Sequence, residues 1–125
     1  MGSVKGVGVW IDIDDSSDDM TRVVIRGDID ASNVGALHVA LDLACCQLPG
    51  TVVVDVNNVG WLSVCAVRAL GSAAGILSPY GTLRVEGAPR PIRLALAMSG
   101  YSYLMWPSTR PEKQVERLVR ELSLA

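Results

Sequence analysis

The stretch TVVVDVNNVGWLSVCAVRAL, residues 51–70, decides how this chain is read. It opens as a buried strand, Val52-Val53-Val54, and reaches an aspartate, Asp55. A polar turn follows at Asn57 and Asn58, and the stretch ends in a helix-like run. A strand that feeds a helix through a short loop is where α/β proteins usually place their chemistry. Here the helix entrance is Ser63-Val64-Cys65-Ala66, with no lysine, no glycine-rich loop and no base nearby.

Working outward, residues 7–13 alternate and run into the acidic stretch DDSSDD, residues 14–19; a second strand follows at residues 21–26. The acidic stretch therefore reads as the loop of a hairpin. A helix–loop–helix calcium loop counted from Asp14 needs glycine at its sixth place and glutamate at its twelfth. Asp19 and Ile25 stand there instead, so a solvated turn is expected.

Ser32 or Asn33 suits the cap of a helix running to about Leu48, ended by Pro49-Gly50. The helix after the loop is expected from about Val64 to Leu77, stopped at Ser78-Pro79. TLRVE, residues 82–86, is a fourth strand; Pro91 opens a helix that ends at Gly100. Residues 103–106 are a fifth strand candidate. Thr109 and Glu112 have capping-box spacing ahead of a last helix striped by Val115, Leu118, Val119 and Leu122. The alternation predicts one α/β domain over residues 1–125: a mixed, mostly parallel sheet of about five strands, one antiparallel pair from the opening hairpin, and about four helices.

Composition narrows the function. The chain has 125 residues, is half hydrophobic and contains no phenylalanine, so the core is built from Val, Leu, Ile and Ala. A net charge of -2 without a basic run argues against phosphate neutralisation on nucleic acid and against a basic membrane patch. The uncharged stretch between Arg68 and Arg84 is too short to cross a bilayer and is broken by Gly75, Pro79 and Gly81. The N-terminus lacks the apolar core of a signal peptide, and Gly6 stands where a myristoylation signal wants Ser or Thr, so a cytoplasmic location is expected. Three cysteines, two adjacent, make neither a disulfide framework nor a zinc site. His38 has only Asp42 at ligand spacing, so no metal and no cofactor is expected.

The order of VVIRGDID, VVVDVNNVGWL and GTLRVEGAPRPIRLALAMSG resembles the STAS domains of the anti-sigma factor antagonist family, over nearly the whole length. In that family the loop after the third strand reads Asp-Ser-Ser-Gly or close to it, and a partner anti-sigma factor that is also a kinase phosphorylates the first serine. The resemblance places Ser63 at the aspartate, Val64 at the acceptor serine, Cys65 at the second serine and Ala66 at the glycine. Valine has no hydroxyl, so the resemblance implies a switch without its acceptor. Ser63 is either a shifted acceptor or simply the helix cap. Cys65, at a helix N-terminus, is a candidate redox thiol or a small core filler.

The helical faces add candidates. Ala66, Val67, Leu70, Ala73, Ala74 and Leu77 gather as a core face, while Val64, Arg68, Gly71 and Gly75 lie opposite with Cys65 and Ser72 on the flank. The expected partner surface is thus Ser63, Val64, Cys65, Arg68, Gly71, Ser72 and Gly75. The preceding helix has a core stripe of Val34, Leu37, Leu41, Cys45 and Leu48, and a second apolar stripe of Val39, Leu43 and Cys46 suited to docking or to a homodimer. Three functions follow from these readings. The first is a non-enzymatic anti-sigma factor antagonist that binds a kinase-type anti-sigma factor or a related regulatory protein. The second is a structural STAS subunit in a signalling or transporter assembly. The third is a small-ligand or nucleotide module at the Ser63 loop, against which the lack of a phosphate-binding loop counts.

Overall fold

The computed structural model describes residues 2–15, 19–46, 49–78 and 80–105. Five strands, β1 Gly2–Gly6, β2 Val9–Asp14, β3 Met20–Gly27, β4 Thr51–Asn58 and β5 Thr82–Glu86, form one sheet in the order of the chain. Three helices, α1 Val34–Cys45, α2 Val64–Leu77 and α3 Arg90–Met98, are followed by a 3-10 turn at Ser102–Leu104. The strand pairs β1–β2 and β2–β3 are antiparallel, and β3–β4 and β4–β5 are parallel. The two parallel pairs follow from α1 and α2, each of which carries the chain back to the start of the next strand.

Strand alternation sets which face is core. Val9, Ile11 and Ile13 of β2, with Val23 and Ile25 of β3, are buried under the helices, while Trp10 and Asp14 are exposed on the other face. On β4, Val52, Val54 and Val56 join that core, together with Leu37, Ala40, Leu41 and Ala44 of α1 and Leu70, Ala73 and Leu77 of α2. Each fully buried Leu or Ile contributes about 1.5–3 kcal/mol of transfer free energy. Ile92 and Leu96 of α3 and Leu104 of the 3-10 turn close the end of the core beside α2. Pairing β2 to β3 through residues 15–19 makes the acidic stretch a hairpin connection, as its composition suggests.

The opposite face of the sheet is a lattice of charges. Arg22 reaches Asp55 and Glu86, both at 3.3 Å, and Arg84 reaches Glu86 at 3.1 Å. Arg26 bonds Asp12 at 2.6 Å, Trp10 donates its Nε1–H to the same carboxylate at 2.7 Å, and Lys5 sits 4.1 Å over the Trp10 ring. The Trp10 hydrogen bond, and then Arg26, hold the Asp12 carboxyl below the usual range. Half-exposed ion pairs of this kind stabilise a fold little, and their number keeps this face soluble rather than rigid. Asp55 therefore belongs to this face, with Oδ2 on Arg22 and Oδ1 accepting the Asn57 N–H at 3.0 Å.

Three expectations need correction. The fifth strand is β1 at the N-terminus; of the candidate at residues 103–106, residues 103–105 are not a strand and Trp106 lies outside the described residues. GSVKG carries two glycines and only one strand-favouring residue, so its strand state comes from the edge that β2 offers and not from propensity. Residues 103–105 form turns, with the Leu104 N–H bonded to Tyr101 O and the Met105 N–H to Ser102 O; Leu104 alone is buried and Tyr103 is exposed. Short apolar runs do not distinguish strand from turn by periodicity. The sheet consequently holds two antiparallel pairs where the hairpin alone suggested one. The helix α1 ends at Cys45, short of Leu48, and Asn33 does not cap it with its side chain. The last helix expected after Thr109 lies outside the described residues.

Candidate partner-binding site

The loop before α2 is fixed by a strap from the segment after β3. Ile29 donates its N–H to Trp61 O at 3.1 Å, Ser63 donates to Ile29 O at 2.9 Å, and Ile29 and Leu62 form a parallel bridge. Gly60 donates its N–H to Asp28 Oδ1 at 3.0 Å. Val59 and Leu62 turn inward and are buried, which forces Trp61 between them outward at 51% exposure. The strap begins at Gly27, whose φ of +104° and whose approach to Gly8 O leave no room for a side chain: a Cβ would sit 2.2 Å from that oxygen.

Asn33, 6% exposed, holds the other end of the strap. Its Nδ2 donates to Val7 O at 2.7 Å and Asp28 O at 2.9 Å, and its Oδ1 accepts from the Asp30 N–H at 2.9 Å. Three bonds to backbone explain why its side chain is unavailable to cap α1. Asp30 in turn accepts from the Ser32 hydroxyl and the Ser32 N–H, and these bonds lower its carboxyl below the usual range. Neither Asn33 nor Asp28 was among the candidates for the site: Asp28 showed only as part of the GDID segment and Asn33 only as a possible helix cap, and the tertiary contacts alone show what they hold.

At the helix entrance Ser63 has extended backbone and caps α2, its Oγ accepting from the Ala66 N–H at 3.4 Å. The same oxygen lies 2.8 Å from Cys65 Sγ, so the hydroxyl is engaged twice within its own turn. Val64 is the first residue of α2 and is 59% exposed. Cys65 is half-buried on the flank. Arg68, Ser72, Gly75 and Ile76 continue the free side of α2, Ile76 at 73% exposure, and a Cβ added at Gly75 would meet nothing within 4 Å. All three cysteines are free, and burial, then Asp42 and Cys46, push the Cys45 thiol up. No cluster of metal-ligating side chains occurs among the described residues.

One candidate moves off this surface. Gly71 does not face solvent: Tyr101 lies on it, and a Cβ there would be 2.2 Å from Tyr101 Cε1. The glycine is a seat for an aromatic ring, which latches the segment after α3 onto α2. Helical phase alone put Gly71 beside Gly75, and the phase is right; what covers that flank comes from far along the chain. The second apolar stripe stays open, with Val39 49% and Leu43 54% exposed and Cys46 also exposed. A shallow pocket lies between Ala74, Ser78, Leu83 and Tyr103, at the far end of α2 from Ser63.

The family profile described as "Mlab, STAS domain" matches residues 14–105. The chain belongs to the STAS-domain family. Among solved structures, this STAS domain resembles an anti-sigma factor antagonist from Mycobacterium paratuberculosis at 20% identity and a TM-score of 0.71, over 78% of this chain and 82% of that one. It resembles the unphosphorylated anti-sigma factor antagonist SpoIIAA at 14% identity and a TM-score of 0.68, over 89% and 96% of the two chains. A match to SLC26A9, at 8% identity and a TM-score of 0.55, covers 66% of this chain but 16% of that one. No curated protein sequence matches significantly. At these identities the likeness is one of fold. No helix among the described residues is long and apolar enough to cross a membrane.

Proposed function

We propose that this STAS domain is a non-enzymatic regulator in the cytoplasm, an anti-sigma factor antagonist that docks an anti-sigma factor through Ser63, Val64 and the free side of α2. Phosphorylation at the usual serine position plays no part in its control. The observation that carries the reading is Val64: it stands first in α2, it is exposed, and it offers a partner a hydrocarbon where the family's switch has a hydroxyl. A phosphate at a helix N-terminus is locally stabilised by the free N–H groups and the dipole. It would also place roughly two negative charges on the contact surface, and a partner shaped for the bare loop would have to desolvate them. Val64 removes that mode of release, and Ser63 spends its oxygen on the cap. Such a protein binds whenever it is present, so its control lies in its amount or in its partner.

The test uses the full chain as bait in a lysate of its own cell, beside Val64→Glu. The reading expects an anti-sigma factor with a kinase-type ATP-binding domain among the proteins bound, and its loss with Val64→Glu. A bound set without such a protein, or one indifferent to Val64→Glu, overturns it. A stoichiometric complex that never exchanges favours the second reading, a structural STAS subunit of a larger assembly; a STAS-like fold inside the much longer SLC26A9 chain supports keeping that alternative.

A further inference from the structure

The arginines of the described residues divide into two sets. Arg22, Arg26 and Arg84 are ion-paired on the helix-free face of the sheet. Arg68 on α2 and Arg90 and Arg93 on α3 are exposed and make no hydrogen bond or ion pair among the described residues. Neither helix contains an acidic residue, and from Val64 to Met105 the only carboxylate is Glu86, which is held by Arg22 and Arg84 on the opposite face. The whole chain carries a net charge of -2, so three cations without a carboxylate partner among the described residues run against the overall balance.

Topology brings the three together. Both α2 and α3 start where the parallel strands β4 and β5 end, so Arg68, Arg90 and Arg93 lie toward the same end of the sheet. Tyr101, seated on Gly71, ties the segment after α3 to α2. The same helices expose apolar side chains beside these cations: Val64 lies one turn before Arg68, and Leu94 (51%) lies one turn before Met98 (86%). Cations flanking apolar side chains match a segment with the opposite pattern.

We infer that the α2–α3 face receives an acidic, amphipathic segment of a partner protein, its carboxylates over Arg68, Arg90 and Arg93 and its apolar residues over Val64, Leu94 and Met98. This rests on the reading that α2 carries the docking surface, and names the chemistry of what docks. Guanidinium groups take carboxylates in two parallel hydrogen bonds, which fixes register as well as sign. An anionic membrane is the weaker match. Three arginines give about 1 kcal/mol each near such a surface, and a chain of net charge -2 is repelled by it.

The probes are two designed helical peptides with the same leucine stripe, one flanked by glutamates and one by lysines, and vesicles of phosphatidylcholine with phosphatidylglycerol. Each is titrated into the isotopically labelled full chain while amide shifts are followed by NMR. Three exposed charge pairs together are worth about tenfold in affinity. The glutamate peptide is therefore expected to bind about tenfold more tightly than the lysine peptide, with shifts in α2 and α3, and to weaken with salt. Charge reversal by Arg68→Glu, Arg90→Glu and Arg93→Glu should invert the preference, and neutralisation of all three to Gln should erase it, while Arg26→Gln leaves it unchanged. Equal binding of the two peptides, shifts confined to other elements, or a preference that survives charge reversal overturns the inference. So does binding to the vesicles in preference to the glutamate peptide. If the peptides fail while Val64-dependent capture of an anti-sigma factor holds, the acidic chemistry is wrong and the docking reading stands.

Discussion

Gly71 and Gly75 lie one turn apart on α2 and should respond oppositely to the same substitution. Glycine in a helix interior is less favourable than alanine by about 1 kcal/mol, so Gly75→Ala, whose Cβ meets nothing within 4 Å, should stabilise the protein by about that amount. Gly71→Ala gains the same backbone term but places its Cβ 2.2, 2.6 and 2.9 Å from Tyr101 Cε1, Cζ and Cδ1. The ring must leave, yet the Tyr101 N–H is bonded to Leu96 O at 2.8 Å and the side chain packs against the core. Overpacking of this kind costs about 1–3 kcal/mol. The net effect of Gly71→Ala is then between nothing and a loss of about 2 kcal/mol, a gap of about 1–3 kcal/mol from Gly75→Ala. Thermal unfolding should separate the two variants by roughly 4–10 °C. A double-mutant cycle with Tyr101→Ala isolates the contact, because without the ring Gly71→Ala should recover the full helical gain. If Gly71→Ala stabilises the wild-type background as much as Gly75→Ala does, the ring is not seated on Gly71 and the position of the segment after α3 is wrong.

Further outcomes are expected at other positions. Val39→Lys with Leu43→Glu should dissolve any self-association while moving the melting temperature little, because both side chains are about half exposed; a large drop would place this stripe in the core. Asn33→Ala removes the partners of Val7 O, Asp28 O and the Asp30 N–H, and leaving buried polar groups unpaired should cost about 1–3 kcal/mol or more in urea unfolding. Incubation with ATP and a kinase-type anti-sigma factor should leave the wild-type mass unchanged, whereas Ser63→Asp with Val64→Ser should gain a phosphate; a phosphate mapped to wild-type Ser63 refutes the dead switch. The Asp12 carboxyl is lowered by Trp10 first and Arg26 second, so the contribution of their contacts is complete above the ordinary aspartate range and disappears as pH falls through the lowered value. A carbon-detected NMR titration should place the Asp12 midpoint below the ordinary aspartate value, and Trp10→Phe should move it up.

Local pattern was enough for much of this protein. Alternation in residues 9–14 and 20–27, the valine run at 52–54, the seven-residue spacing of Leu70 and Leu77, and the cap at Ser63 all act within a few residues, so strands, the α2 boundaries and its core face are legible without any contact map. The substitution that defines the site, valine at position 64, is legible too, because it is a matter of which functional group is present. What the sequence could not decide is which side chains meet across long separations. Gly71 looks as free as Gly75 until Tyr101, 30 residues later, is laid on it. Asn33 looks like a cap until Val7 O and Asp28 O compete for its amide. GSVKG has little strand propensity until β2 offers it an edge, and the strand that ends at Asp55 does not by itself show that Arg22 holds this carboxylate on the helix-free face. In each case the local preference is worth about 1 kcal/mol or less, and a contact supplied by a distant part of the chain outweighs it.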